Sequence, residues 1–98
     1  MQDRERTVEQ YLRRRVESLG GECVKFIPDY DRGMPDRIVI LPHGGLVWCE
    51  LKRPSGGKLS GAQMVRHEEL RRLGQRVEVL WSREDVDRFL GEMIREAD

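Results

Sequence analysis

The sequence predicts an α/β fold in which one mixed β-sheet is flanked by helices. Two apolar runs, residues 38–41 and 46–49, have the length and composition of buried strands. The turn signal His43-Gly44-Gly45 separates them, so these strands are expected to be antiparallel neighbours. A helical pattern then leads to another strand at residues 76–81. A strand–helix–strand unit makes its two strands parallel, with a right-handed crossover.

Three segments have the apolar spacing of amphipathic helices, each with a start signal. The first is expected to begin near Val8 and to end at Gly20-Gly21. The second has an apolar face of Ala62, Leu70 and Leu73 and closes at Gly74. The capping pairs are Thr7 with Gln10, Ser60 with Gln63, and Ser82 with Asp85. With a first strand at residues 22–27, the predicted order is α-β-β-β-α-β-α.

Composition narrows the classes of function. The chain has 98 residues, which is the length of a single domain spanning residues 1–98. Its 18 basic and 18 acidic residues balance, so any contact with nucleic acid must come from a local cluster. The sequence contains no apolar stretch long enough to span a membrane and no signal peptide. An intracellular, soluble protein is therefore expected. The glycine-rich loop at residues 53–61 lacks P-loop spacing, which excludes a nucleotide cofactor.

Two acidic residues, Asp36 and Glu50, lie at the start of one strand of the predicted hairpin and near the end of the other. Side chains alternate along a strand, so Glu50 and Lys52 share one face. Antiparallel pairing lets Asp36 and Glu50 face each other across the two strands. Two facing carboxylates repel and are costly to bury, and a cation between them removes the repulsion. Oxygen ligands suit Mg²⁺ or Mn²⁺. The alternative is a Glu–Lys pair on the sheet surface.

This stretch resembles the core of the virus-type replication-repair nuclease domain, VRR-NUC, a branch of the PD-(D/E)XK nuclease superfamily. Gly33-Met34-Pro35-Asp36 matches the G-x-P-D motif of the family, and Glu50-Leu51-Lys52 matches its E-x-K motif. Gln63 matches a glutamine on the following helix. The resemblance extends from Glu9 to Leu90. It implies a restriction-endonuclease-like α-βββ-α-β core, to which this chain adds a C-terminal helix.

The resemblance implies a metal-dependent DNA endonuclease and assigns its metal ligands. Asp36 and Glu50 would hold Mg²⁺ or Mn²⁺, with the backbone carbonyl of Leu51 as a further ligand. Glu9, on the first helix, would hold a second metal ion or orient water. From the residues alone, Glu9 can equally be a favourable charge in the first turn of a helix.

The resemblance also assigns two catalytic roles outside the metal ligands. Lys52 would position or deprotonate the attacking water and offset charge in the transition state. Gln63 would orient Lys52 or a water molecule. The residues alone explain Gln63 as the partner of Ser60 in a capping box, and both roles are compatible.

Basic residues near the motifs are candidates for contact with DNA phosphates. They are Arg13, Arg14, Arg32, Arg37, Arg53 and Lys58. The run Arg13-Arg14-Arg15 can also be a solvated helix face, because successive residues of a helix point in different directions. Arg32 and Arg37 can also pair with Asp29 and Asp31.

Three functions remain open at this stage. The first is an endonuclease acting on branched or junction DNA in replication, repair or recombination. The second is a non-catalytic nucleic-acid-binding module that kept the fold, and the third is a dimerisation domain. A homodimer is expected for the nuclease, because one site cuts one strand. Met64 and His67, off the core face of the second helix, and Ile94 on the third are candidate interface residues.

Overall fold

The computed structural model describes residues 4–29 and 32–97. Its helices and strands are α1 (Glu5–Ser18), β1 (Glu22–Lys25), β2 (Arg37–Ile40), β3 (Leu46–Leu51), α2 (Gly61–Arg72), β4 (Val77–Leu80) and α3 (Arg83–Ala97). A short 3₁₀ turn, Pro42–Gly44, joins β2 to β3. The predicted order is confirmed, and β1 and β4 are each two residues shorter than predicted. No helix within the described ranges is long and apolar enough to cross a membrane.

The four strands form one mixed sheet in the order β1-β2-β3-β4. The β2–β3 pair is antiparallel and β3 pairs with β4 in parallel, both as predicted. Strand β1 pairs with β2 in antiparallel orientation. Arg37 lies opposite Cys49, so extending the register by one residue sets Asp36 opposite Glu50. The Phe26 N–H donates to the Asp36 carbonyl at 2.9 Å, which continues the β1–β2 ladder and holds the backbone of Asp36.

The main core lies between one face of the sheet and helices α1 and α3. Both helices bury the apolar faces that their spacing predicted. The core residues are Val8, Leu12, Val16, Val39, Val47, Cys49, Leu51, Leu80, Val86, Phe89 and Leu90. Cys49 and Leu51 point into this core, so Glu50 and Lys52 point to the opposite face.

Helix α2 packs against the opposite face, beside β4. The Arg71 guanidinium donates a hydrogen bond to the Val77 carbonyl at 3.1 Å. Leu70 and Val77 are both buried, yet neither belongs to the main core cluster. Helix α2 therefore covers part of the face that carries Glu50 and Lys52.

The start of α1 differs from the prediction. The helix begins at Glu5, with Arg4 as an N-cap in extended conformation and no side-chain cap. Thr7 and Gln10 lie inside the helix, so the predicted capping box is wrong. The Val8 N–H instead bonds to the Arg4 carbonyl at 3.0 Å. Residues 4–7 are exposed, so this turn is added to a helix that the buried stripe from Val8 onwards already anchors, and each added residue gains a backbone hydrogen bond.

The face that α2 buries also differs from the prediction. Leu73, expected in the core, is 73% exposed, and Ala62 is exposed as well. His67, expected off the core face, is only 1% exposed. The capping box of Ser60 and Gln63 is confirmed, so the helix starts where predicted. The apolar residues of α2 are spread around the helix, and the position of α2 against β4 decides which side is buried.

Gly33 lies where the loop before β2 packs against the first turn of α2. Its φ of 94° is in the left-handed region that favours glycine. A Cβ atom at this position would lie against the Ala62 carbonyl oxygen and 2.7 Å from its carbonyl carbon. The glycine of the G-x-P-D motif therefore allows close approach between this loop and the first turn of α2.

Replacing Gly33 with alanine is expected to destabilise the protein by on the order of 3 kcal/mol. The left-handed backbone costs alanine about 1–2 kcal/mol, and overpacking adds about 1–3 kcal/mol. Gly74→Ala is the matched control, since Gly74 has a φ of 83° but open space around its Cβ position. Urea unfolding of both variants measures the difference. Equal destabilisation by the two substitutions would show that the contact with α2 contributes nothing.

Candidate active site

Two carboxylates meet at the start of β2 and the end of β3. Glu50 is only 5% exposed, and Asp36 is half-buried. One oxygen of each, Asp36 Oδ1 and Glu50 Oε1, is buried and has no hydrogen-bond partner among the described residues. Buried carboxylate oxygens are normally paired, so these two require a proton or a cation.

The electrostatics of the two carboxylates show the same requirement. Burial and the neighbouring Asp36 carboxylate raise the pKa of Glu50 to about 7, although the Lys52 ammonium opposes the shift. Burial also raises the pKa of Asp36, against the opposing effects of Arg37 and of the Leu51 backbone N–H. Without a cation, the pair therefore retains a proton near neutral pH.

Lys52 completes this group of charged side chains. Its Nζ lies 3.9 Å from Glu50 Oε2, and its side chain is 19% exposed. The structure thus brings Asp36, Glu50 and Lys52 together on one face of the sheet. The Lys52 backbone N–H donates to the Leu80 carbonyl at 3.0 Å, which ties the end of β3 to β4. The main chain at Lys52 is fixed while its ammonium group reaches the carboxylates.

Glu5 is a third carboxylate that acts on this pair. It raises the pKa of both Asp36 and Glu50 by charge repulsion. Residue spacing does not indicate Glu5, because it predicts that the helix starts near Val8. No motif contains Glu5, and only the additional turn of α1 brings it towards the site.

Glu9 is engaged by Arg37 rather than by the carboxylate pair. Arg37 Nη2 lies 2.8 Å from Glu9 Oε2, and Nη1 lies 3.5 Å from Asp36 Oδ2. Arg37 Nη1 also donates to the Asp36 carbonyl at 2.9 Å. Arg37 thereby links Glu9 to Asp36 beneath the site. Whether Glu9 binds metal stays a prediction.

The position of Arg37 limits its predicted contact with DNA. Arg37 is 5% exposed, and it forms ion pairs with Glu9 and Asp36 rather than with Asp29. Asp31, the other suggested partner, lies outside the described residues. Contact with a phosphate would require Arg37 to leave a buried ion pair, which is strongly unfavourable.

Gln63 has the capping role that its spacing predicted. Its Oε1 accepts from the Ser60 backbone N–H at 2.9 Å, and its own N–H donates to Ser60 Oγ at 3.1 Å. Together with the close approach of Gly33, this box fixes the N-terminus of α2 beside the G-x-P-D loop. The catalytic role of Gln63 stays a prediction.

The other basic candidates are all on the surface. The exposed residues are Arg13, Arg14, Arg32, Arg53 and Lys58. Arg15, from the same basic run, instead pairs with Asp87 at 3.3 Å. The five exposed side chains are accessible to phosphates, and their contact with DNA stays a prediction.

The carboxylate pair fits a small divalent cation. The described residues contain no group of three or more His, Cys, Asp or Glu side chains arranged to hold a metal ion. Mg²⁺ is commonly bound by one or two carboxylates and keeps several water molecules. Asp36 and Glu50, with their two unpartnered oxygens, therefore suffice as a protein ligand set for this ion.

A mixed sheet of this order, with paired carboxylates and a lysine on one face, is the arrangement that the resemblance to the PD-(D/E)XK nuclease class predicts. No family model matches the chain. The chain is 40% identical over 81 residues to "Putative nuclease p44" of Acyrthosiphon pisum secondary endosymbiont phage 1, covering 83% of this chain and 86% of that protein. A solved structure described as "VRR_NUC domain" superposes with a TM-score of 0.83 at 34% identity, covering 89% of this chain and 94% of the other. The chain belongs to the VRR-NUC nuclease family.

The metal-free protein is expected to lose stability as pH rises from about 4.5 to about 7. In this range the folded state holds the Glu50 proton more tightly than the unfolded chain does, so raising the pH favours unfolding. The shift corresponds to on the order of 3 kcal/mol. Urea unfolding in EDTA across this range measures the effect. Glu50→Gln should flatten the dependence, whereas Glu17→Gln, on the exposed side of α1, should not.

Proposed function

We propose that this chain is a divalent-metal-dependent endonuclease that hydrolyses phosphodiester bonds in DNA. The observation that carries the proposal is a pair of carboxylates beside the Lys52 ammonium, Glu50 buried and Asp36 half-buried, each with one buried oxygen that has no partner among the described residues. Such a group is costly to keep in a small domain unless a ligand uses it. Membership of a nuclease family supports the reaction class.

The carboxylates have a defined part in this proposal. Asp36 and Glu50, with the backbone carbonyl of Leu51, would hold Mg²⁺ or Mn²⁺. A bound divalent ion supplies charge neutralisation at the scissile phosphate and lowers the pKa of a coordinated water. Glu5 and Glu9 add negative charge from α1 and are candidates for a second ion or for orienting water.

Lys52 is the proposed catalytic cation. Its ammonium group shares a face with Glu50 and lies 3.9 Å from that carboxylate, so it stays beside the ligands instead of extending into solvent. From this position it positions the attacking water and offsets negative charge that develops on the phosphate. Gln63, at the start of α2, orients Lys52 or a water molecule.

The proposed substrate is branched or junction DNA, bound by a homodimer during replication, repair or recombination. One copy of the site cuts one strand, and a two-fold dimer supplies a second site. The exposed basic residues supply phosphate contacts, and local clusters are needed because the net charge of the chain is zero. Met64 and Ile94 are exposed and stay candidate interface residues, whereas the burial of His67 removes it from that set. Light scattering at micromolar concentration tests the dimer.

Cleavage of labelled linear, flap and four-way-junction DNA, with Mg²⁺ and with EDTA, tests the proposed function. Wild-type protein should cut only with Mg²⁺, and Glu50→Gln should not cut. Glu17→Gln is the matched control for a neutralised carboxylate away from the site. Binding without cleavage on all three substrates would refute the nuclease and favour a non-catalytic binding module.

A further inference from the structure

His67 is a buried polar residue that the proposed function does not use. It lies in the middle of α2 and is 1% exposed. Neither Nδ1 nor Nε2 has a hydrogen-bond partner among the described residues. Buried polar atoms are nearly always paired in folded proteins, so an imidazole with two unpaired nitrogens calls for an explanation.

The fold places His67 over the catalytic face of the sheet. Gln63 precedes it by four residues and Leu70 follows by three, so all three lie along one side of α2. Helix α2 packs on β4, and β4 pairs with the end of β3 that carries Glu50 and Lys52. The side of α2 that contains His67 is therefore turned towards the face on which Lys52 lies.

The charges around His67 agree with this placement. Burial is the largest cause that lowers the pKa of His67, followed by the positive charges of Arg71 and Lys52. The imidazole is therefore neutral at neutral pH, with one nitrogen as a donor and the other as an acceptor. A neutral imidazole can accept a hydrogen bond from an ammonium group, which a protonated one cannot.

Lys52 is the available donor for that acceptor. An ammonium group has three N–H donors, and the Lys52 ammonium lies 3.9 Å from Glu50 Oε2. Arg71 already donates to the Val77 carbonyl at 3.1 Å. The four-carbon stem of lysine is flexible, so a second partner on α2 would restrict the ammonium to one position above the carboxylates.

We propose that His67 is a positioning residue, which accepts a hydrogen bond from the Lys52 ammonium and holds it over the Asp36–Glu50 pair during phosphodiester hydrolysis. This role rests on the proposed nuclease function. It assigns α2 a second contribution to the site, one turn beyond Gln63. It also explains why a polar ring occupies a position where an apolar side chain would pack at lower cost.

The test compares His67→Leu and His67→Gln with wild type. Leucine fills a similar space without the two nitrogens, so the domain should fold. Removing a buried, unpaired polar group gains about 1 kcal/mol at the low end of its range, which corresponds to a melting temperature about 4–8 °C higher. Its kcat on labelled DNA in Mg²⁺ should fall about 10–100-fold, with KM within about twofold, because a flexible lysine samples the productive position less often. Glutamine, which can accept from Lys52, should recover most of the kcat.

A spectroscopic measurement separates positioning from packing. The ¹⁵N shifts of the His67 imidazole, recorded on the DNA complex without metal, should change on Lys52→Met if Lys52 donates to that ring. Leu70→Val perturbs the packing of the same helix and should leave kcat near the wild-type value at a temperature where it is folded. A wild-type kcat in folded His67→Leu would overturn the proposal. So would ¹⁵N shifts of His67 that are unchanged by Lys52→Met. Loss of cleavage by wild type itself would instead reject the nuclease function.

Discussion

Replacing Lys52 with alanine is expected to slow DNA cleavage by about 10²–10⁴-fold, the range for loss of a positioned acid–base group. The Lys52 ammonium lies 3.9 Å from Glu50 Oε2, on the face that carries both carboxylates. Arg37 lies 3.5 Å from Asp36 Oδ2, but its ion pair with Glu9 holds it on the core side. DNA binding should persist, because many phosphate contacts contribute to affinity.

Single-turnover cleavage and a separate binding titration measure the two effects of Lys52→Ala. Lys58→Ala is the matched control, since it removes an exposed lysine from the loop that follows the site. This control should weaken binding slightly, reduce its salt dependence and leave the rate of the chemical step intact. Near-wild-type cleavage by folded Lys52→Ala protein would remove Lys52 from the mechanism.

Combining Asp36→Asn with Glu50→Gln is expected to abolish both cleavage and the stabilisation of the fold by Mg²⁺ or Mn²⁺. A ligand that binds only the folded state stabilises it by about 2.7 kcal/mol at a hundredfold excess over its Kd. Wild-type protein should therefore melt several degrees higher with metal than with EDTA. The variant keeps the shape of both side chains but loses the charges that attract the cation.

The same variant should also behave differently without metal. Each carboxylate of the pair has one buried oxygen without a partner among the described residues. Burial raises the pKa of both groups, and the Asp36 charge raises the pKa of Glu50 further. Neutral amides remove this repulsion, so in EDTA at pH 7 the variant should be at least as stable as wild type. Asp29→Asn, an exposed control, should retain the full metal-dependent shift. An unchanged shift in the double variant would place the metal elsewhere.

The sequence determined the framework of the fold and the centre of the site. Alternation along β3 and antiparallel pairing with β2 are local rules, and together they placed Asp36, Glu50 and Lys52 on one face. The parallel pairing of β4 followed from the helix between the strands. Ser60 and Gln63 marked the start of α2, because a capping box uses only residues three apart.

Only the tertiary structure decided which helical residues reach the site. Helix α1 starts one turn earlier than residue spacing predicts and brings the Glu5 charge towards the carboxylates, while Arg37 engages Glu9. In α2 the apolar residues lie on several sides, so periodicity predicted Leu73 as buried, whereas contact with β4 buries His67. Helix ends and the buried side of a weakly amphipathic helix depend on long-range packing, which residue spacing within one segment does not contain.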